Sequence, residues 1–328
     1  MHRILVLALC VSLPLPVLAA EAKVKLPAQY ARNAGLSDAD RLQSAARFLV
    51  AAQRELKSPD GKRSLAATWP FQPKGEVAAP NASGIVARAL LSAGGPEARP
   101  AAEAWGRARL ADVAADHPIF DPDVETLALL AQAGGEKAFL AGAKQAFEVR
   151  HGMANGREIV ERLFLVRRGA PSLVGFDAAL SARAALAVGE REKATEIVQA
   201  LAATTKRWDK ADERGFDLTS RAAVLEVALT LGSDKALSGR LCASLVAEQQ
   251  KDGAWGQRNT QATAYTVRAL RGCGSPEAEA AVERGRRFLR LTQLESGGWG
   301  TFNDYLPEPF VGETVYEVTA EVMLALEP

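Results

Sequence analysis

Two stretches in the C-terminal part of the chain share a skeleton of four residues with a constant offset. The pairs are Leu245 and Leu289, Gln249 and Gln293, Gly253 and Gly297, and Trp255 and Trp299, each 44 residues apart. A constant offset at four positions indicates a duplicated structural unit, and a period of this length is typical of helical-hairpin repeats. The chain is therefore expected to fold as a series of repeated hairpins.

Six apolar segments continue this period along the chain. They begin at Asn81, Asp123, Asp177, Asp217, Thr263 and Glu313. Each follows an amphipathic segment with its apolar residues on one face, whereas the six segments themselves are apolar nearly all round. A helix with one polar face lies at the surface, and a helix that is apolar on every side is enclosed. The pattern predicts six enclosed helices inside six outer ones.

Two architectures satisfy this pattern. One is a closed double ring, an all-α (α/α)6 toroid of six helical hairpins over residues 39–328, and the other is an open superhelix of stacked hairpins. An open array leaves one side of its inner helices in water, so apolarity on every side favours the closed ring.

The last unit carries a longer signature that resembles a known repeat. Its members are Arg284, Gly285, Phe288, Leu289, Gln293, Gly297 and Trp299. This spacing resembles the glutamine–tryptophan repeat of squalene-hopene and oxidosqualene cyclases, and is similar to the repeat of protein prenyltransferases. The resemblance implies the toroid fold, and it implies that Gln249, Trp255, Gln293 and Trp299 hold adjacent repeats together. In the first unit Gln53 matches the glutamine of the repeat, but Trp69 lies farther along the chain than the repeat spacing places its tryptophan.

The cyclases that the repeat resembles begin their reaction with an aspartic acid in a D-x-D-D motif. The nearest match is Asp121–Pro122–Asp123, which has Val124 in the fourth position, so Asp121 and Asp123 are the candidate catalytic residues. A carbocation also needs aromatic walls, whereas only 6% of the chain is aromatic and the inner segments offer mainly Ala, Leu and Val. Both observations argue against cyclase activity, and we expect an apolar lumen.

Zinc, which the prenyltransferases use, has no recognisable ligand set in this sequence. Beyond the first 20 residues the histidines are His117 and His151, and neither has a cysteine or histidine at a ligand spacing. We expect no metal and no cofactor.

Several polar residues on or near the inner segments are candidate ligand-binding residues. They are Asp177, Asp217, Arg221, Tyr265, Arg268, Asp304, Tyr305, Glu313 and Tyr316. Acids at a common rim could act as an acid and a base, as in glycoside hydrolases, although helix capping explains Asp123, Asp177 and Asp217 more simply. The arginines within apolar segments, including Arg183, need a carboxylate or an anionic ligand, and pairing with the rim acids is favoured.

The N-terminal 20 residues have the basic start, apolar run and small-residue exit of a signal peptide, followed by an extension over residues 21–38. A periplasmic or secreted protein is therefore expected. The chain has 40 basic and 39 acidic residues, so its charge gives no reason to expect nucleic acid as a partner, and no later apolar run is long enough for a membrane span. For Cys242 and Cys273, two free thiols are favoured over a disulfide.

The favoured function is a non-catalytic binding or scaffold toroid for a hydrophobic small molecule or an envelope protein. The alternatives are a terpenoid cyclase with an atypical acid and a carbohydrate-active hydrolase or lyase that uses rim carboxylates.

Overall fold

A computed structural model describes residues 35–168, 171–205, 217–300 and 315–328. Helices α1 to α6 are Asp38–Ala52, Pro80–Ser92, Arg99–Ala114, Asp121–Gln132, Lys137–His151 and Gly156–Val166. After a 3-10 turn, Pro171–Leu173, helices α7 to α13 are Val174–Val188, Arg191–Thr205, Leu218–Leu231, Lys235–Ala247, Thr260–Leu270, Pro276–Leu291 and Tyr316–Leu326. Strands β1 and β2, Arg54–Lys57 and Ser64–Thr68, form an antiparallel hairpin after α1.

Six helices form a closed inner ring. In order they are α2, α4, α7, α9, α11 and α13; each packs against the next, and α13 packs against α2. The helices α1, α3, α5, α8, α10 and α12 lie outside this ring, each against inner helices. The prediction of an all-α toroid is confirmed, because α13 meets α2 and leaves no open end between them.

The inner helices differ in detail from their predicted limits. The third unit contains an additional helix, α6, which packs against α8 of the next unit. Helix α7 begins at Val174, three residues before Asp177, and α11 begins at Thr260, three residues before Thr263. Asp217 caps α9 as predicted, with its Oδ1 accepting from the Ser220 N–H at 2.7 Å. Asp177 is not a cap, because it already lies inside the first turn of α7.

The hairpin of β1 and β2 explains why Trp69 comes late. It is inserted between Gln53 and Trp69, yet the Trp69 indole Nε1 still donates to the Leu49 carbonyl at 2.7 Å. Trp255 and Trp299 make the same hydrogen bond to Leu245 and Leu289, at 2.7 and 2.8 Å. All three indoles are fully buried. The geometry of the joint is therefore kept in the first unit despite the insertion.

Three glutamines connect outer helices that are neighbours around the ring. Gln249 Nε2 donates to the Gly253 carbonyl at 3.0 Å and to Ala281 on α12 at 2.8 Å. Gln293 does the same with Gly297 at 2.8 Å and with Arg41 on α1 at 3.2 Å. Gln53 donates to Ala67 and, on α3, to Ala101, at 3.1 and 2.8 Å.

The loop glycines of these joints cannot be replaced freely. Gly253 and Gly297 have φ near +90°, where a side chain is strained. A Cβ on Gly253 would lie 2.3 Å from the Arg284 carbonyl oxygen, and one on Gly297 would lie 2.8 Å from that of Ser44. The repeated Gly–x–Trp pattern therefore reflects close approach of the loop to the next outer helix.

Cys242 and Cys273 form a disulfide, so the expectation of two free thiols was wrong. The bond joins the outer helix α10 to the turn between α11 and α12. The two residues are 31 positions apart, and only the folding of α10 against α11 brings them together.

Of the helices in the described ranges, none combines the length and the apolarity that a bilayer crossing needs.

Candidate functional site

Each inner helix places one charged residue in the middle or C-terminal half of its length, and the signs alternate around the ring. In the order of the helices they are Arg88, Glu125, Arg183, Glu226, Arg268 and Glu321. We call this set the charge ring. Its six side chains are mostly buried, with exposed fractions from 2% for Glu321 to 23% for Glu226.

Five ion pairs connect the charge ring. Arg88 lies 3.1 Å from Glu125, which lies 2.8 Å from Arg183. Arg183 lies 3.6 Å from Glu226, Glu226 lies 2.7 Å from Arg268, and Arg268 lies 2.5 Å from Glu321. Burial lowers the pKa of the Arg268 guanidinium, but Glu226 and Glu321 raise it more, so its pKa lies well above the ordinary value. The arginine therefore stays charged between Glu226 and Glu321.

The charge ring corrects two predictions made from the sequence. The lumen is not apolar at this level, because three arginines and three glutamates occupy it. Pairing of the inner arginines within the chain is confirmed, but the partners are not the rim acids. Arg183 and Arg268 pair with glutamates of neighbouring inner helices, and Arg221 pairs with Glu248, the residue that follows α10.

Tyr265 spans the lumen on the side of the charge ring that faces the N-terminal ends of the inner helices. Its hydroxyl donates to Glu321 Oε1 on α13 at 2.7 Å, and its ring meets the Phe176 ring of α7 edge to face at 5.3 Å between centroids. Burial and the neighbouring Glu321 raise the pKa of the phenol well above its ordinary value. Tyr265 is therefore a neutral hydrogen-bond donor. Its side chain lies across the lumen, on the N-terminal side of the charge ring.

Glu317 lies one helical turn from Glu321, closer to the N-terminal rim. Burial, with a contribution from Glu321, raises the pKa of the Glu317 carboxyl to about 7. Its hydrogen bond comes from Gln261 Nε2, at 3.3 Å from Oε1. Sequence reasoning did not single out Glu317, although its place at the start of the last apolar segment is visible in the sequence.

Asp121 is a buried junction between three helices. Its carboxylate accepts from His151 Nε2 and Ser181 Oγ, both at 2.7 Å, and lies 3.2 Å from Arg150 Nε. Burial raises the pKa of Asp121, but these partners together lower it by more than burial raises it. The pKa of Asp121 therefore lies below the ordinary value. Both carboxylate oxygens are engaged by α5 and α7. This arrangement holds an ionised group in place and supplies no proton.

Asp123 differs from Asp121, because only one of its carboxyl oxygens is hydrogen-bonded. Its Oδ2 accepts from the Phe120 N–H at 3.1 Å, while its Oδ1 is buried without a hydrogen-bond partner beside Gly84 of α2. Burial raises the pKa of the carboxyl to about 7, although the Phe120 N–H and Arg109 lower it. At neutral pH the Asp123 carboxyl is therefore present in both its neutral and its ionised form. It lies at the interface between α2 and α4.

Replacing these two aspartates by asparagine is expected to give opposite pH dependences. The pKa of Asp121 is lowered, so its stabilisation is present above the ordinary pKa, near pH 4, and is lost as the pH falls through the folded value. Asp121→Asn should lower the free energy of unfolding by about 2–3 kcal/mol at pH 7, since charged hydrogen bonds are lost, and by less at pH 3. The measurement is urea unfolding at several pH values.

Asp123→Asn serves as the matched comparison. Its raised pKa means that ionising Asp123 costs stability as the pH rises through 7, and asparagine removes that cost. The variant should therefore gain stability relative to the wild type between pH 5 and pH 8. Equal pH profiles for the two variants would contradict both assignments.

The remaining candidates do not form one site. Asp177 pairs with Arg167, with Nε 2.6 Å from its Oδ2, and Asp217 is occupied as a cap. Arg221 is held by Glu248 and Ser244. Tyr316 packs against Phe48, and burial raises the pKa of its phenol. Asp304, Tyr305 and Glu313 lie outside the described residues.

In the parts of the chain that the structure describes, no three His, Cys, Asp or Glu side chains are arranged as a metal site. Apart from Arg88, each member of the charge ring shares its apolar segment with at least one other charged residue, so the sequence alone does not single out the ring.

The fold is that of known α/α toroids. A type II terpene cyclase from Scytonema, MstE, aligns with a TM-score of 0.58 at 15% identity, over 88% of this chain and 96% of that one. A protein from Actinoplanes aligns with a TM-score of 0.56 at 17% identity, over 88% and 98%. A mutant of an unsaturated glucuronyl hydrolase from Streptococcus agalactiae, in complex with dGlcA-GalNAc6S, gives 0.52 at 12%, over 93% and 96%.

No protein-family model matches the chain, and no curated protein is detectably similar to it. At these identities the neighbours define the class, a helical toroid shared by terpene cyclases and a glucuronyl hydrolase, and leave the activity open.

Proposed function

We propose that this protein is an exported, non-catalytic toroid that binds a ligand at the N-terminal mouth of its lumen. The charge ring is the observation that supports this proposal most directly. It joins all six inner helices through ion pairs and occupies the lumen where a cyclase of the same fold would need room for an apolar substrate.

Displacing the charge ring would be costly. Its charges are mostly buried and depend on neighbours in the ring, and breaking a buried ion pair costs about 3–5 kcal/mol. A hydrophobic substrate that entered this level would have to separate several such pairs. The ring therefore favours a ligand that stays above it, at the level of Phe176, Gln261 and Glu317, and one with polar groups.

Cyclase activity with an atypical acid is the second candidate, and Asp123 is the observation in its favour. A buried carboxyl with a pKa of about 7 and a free oxygen has the protonation state that an acid catalyst needs at neutral pH. Against this role, the carboxyl lies between α2 and α4, and Gly84 is within van der Waals distance of its Oδ1.

Turnover assays test the proposal. The purified protein is incubated with squalene, with geranylgeranyl diphosphate and with a disaccharide that carries an unsaturated glucuronyl residue, and products are followed by mass spectrometry. We expect no product from any of them. Product that the wild type forms and that Asp123→Asn or Glu317→Gln loses, while the surface variant Glu192→Gln retains it, would overturn the non-catalytic role and identify the acid.

A further inference from the structure

We propose that the mouth of the lumen is a binding site for a small organic ammonium ion, with Glu317 as its counter-ion. This inference rests on the proposed function and specifies the ligand of that site. Three residues from three inner helices define the site: Phe176 on α7, Gln261 on α11 and Glu317 on α13.

The three residues lie between the charge ring and the N-terminal ends of their helices. Glu317 is four positions before Glu321 on α13, and Gln261 and Phe176 are seven positions before Arg268 and Arg183. One or two helical turns therefore separate each of them from the charge ring, on the same face of its helix. Tyr265 connects α7 with α13, because its ring contacts Phe176 and its hydroxyl donates to Glu321.

Solvent reaches the lumen at this level. Every residue of α11 is buried except Gln261, and every residue of α13 is buried except Glu317, which is partly exposed. Phe176 is partly exposed as well. Two enclosed helices thus each have one accessible residue, and these two are joined by a hydrogen bond of 3.3 Å. Gln261 and Glu317 are therefore the accessible residues of α11 and α13.

Among the residues that the structure describes, no ion pair involves Glu317, whose side-chain partner is Gln261. The three arginines and three glutamates of the charge ring balance one another, and Glu317 is an additional acid. The arginines on the two helices that flank α13 are engaged: Arg88 with Glu125, and Arg268 with Glu226 and Glu321. An ionised Glu317 is repelled by Glu321. A cationic ligand would offset both the repulsion from Glu321 and the cost of burying the ionised Glu317 carboxylate.

The hydrogen-bonding groups match an ammonium ion. Gln261 uses its amide N–H toward Glu317, which leaves its Oε1 as an acceptor beside the carboxylate. An ammonium group has N–H donors and no acceptor, so it can bond to both oxygens at once. Phe176 adds a partly exposed aromatic ring, and aromatic faces attract cations within about 6 Å. A neutral alcohol would satisfy fewer of these groups, and a carboxylate would be repelled.

Binding is expected to depend on pH, because a protonated Glu317 cannot serve as a counter-ion. The groups that act on it in the described residues are Glu321 from its own helix and Gln261 and Tyr265 from α11. Glu317 itself changes charge near neutrality, with a pKa of about 7 in the free protein. At pH 6 only about one molecule in ten is ionised, so the apparent affinity should be about tenfold weaker than at pH 8.

The test is isothermal titration calorimetry of the full protein with n-butylammonium, using 1-butanol and butyrate as neutral and anionic probes of the same length. We expect butylammonium to bind at pH 8, to bind about tenfold more weakly at pH 6, and to release protons on binding at pH 6. Butanol and butyrate should bind at least ~10-fold more weakly than butylammonium, since neither provides the charge. Equal binding of butylammonium and butanol would overturn the inference.

Two variants with the same change of charge separate the site from general electrostatics. Glu317→Gln should abolish the binding of butylammonium and its pH dependence, whereas Glu192→Gln, on the exposed face of α8, should leave both unchanged. Circular dichroism and urea unfolding confirm that each variant is folded. Unchanged binding in Glu317→Gln would reject the site even if the turnover assays find no activity. Conversely, turnover with intact ammonium binding would reject the non-catalytic role alone.

Discussion

Arg268→Met is expected to lower the free energy of unfolding by about 3–5 kcal/mol, the cost of leaving buried charges without their partner. Arg268 contacts two carboxylates, Glu226 at 2.7 Å and Glu321 at 2.5 Å, and its side chain is 4% exposed. Methionine keeps much of the volume but supplies no charge, so the two acids must either stay unpaired or take up protons. Urea unfolding at pH 7 measures the change.

Arg157→Met is the matched control for this experiment. Arg157 also pairs with a glutamate, Glu161, at 2.9 Å, but both side chains are largely exposed on α6. Exposed pairs contribute about 0–1 kcal/mol, so this variant should be nearly as stable as the wild type. If Arg268→Met costs no more than Arg157→Met, the charge ring is not a stabilising unit. The combination of Arg268→Met with Glu321→Gln should recover part of the loss, because it removes one of the two unpaired charges.

Trp299→Ala is expected to lower the free energy of unfolding by about 3–5 kcal/mol, as for other fully buried tryptophans. The indole is inaccessible to solvent and donates to the Leu289 carbonyl at 2.8 Å. It lies at the joint between the last and the first unit, where Gln293 reaches Arg41. Alanine leaves a cavity and removes the indole donor from the Leu289 carbonyl, which still accepts from Thr292. Chemical denaturation followed by circular dichroism measures the change.

Trp299→Phe and Phe71→Ala separate the contributions to this effect. Phenylalanine keeps most of the apolar volume but loses the N–H donor, so it should cost less than alanine does. Phe71 is 52% exposed, and its removal should change the free energy of unfolding by less than about 0.5 kcal/mol. A Trp299→Ala protein as stable as Phe71→Ala would show that the indole does not hold the joint.

The architecture could be predicted because it depends on a local pattern. A helix that is apolar on every side must be enclosed wherever it lies, and the repeat fixes how often such a helix occurs. The hairpin of β1 and β2 escaped prediction, because a single insertion in one unit has no counterpart in the others. The late position of Trp69 was the visible sign of it.

The site was harder to predict because its contacts join distant parts of the chain. Arg183 and Arg268 were recognised as arginines that need partners, but the choice between rim acids and glutamates on neighbouring helices depends on how the inner helices are aligned. Periodicity gives the order of the helices and not their alignment along the ring axis. The same limit applies to Cys242 and Cys273, whose separation in sequence gives no distance in space.

The hydrogen bonds between Arg41 and Gln293 join residues that are 252 positions apart. Contacts of this range form late in folding, since the entropy of closing so long a segment is lost before the contact returns any stability. The first unit has no partner on one side until the last unit has been synthesised. A nascent chain therefore carries an uncovered interface at each terminus throughout its synthesis, and a truncation that removes α13 should leave the product prone to aggregate and dependent on chaperones.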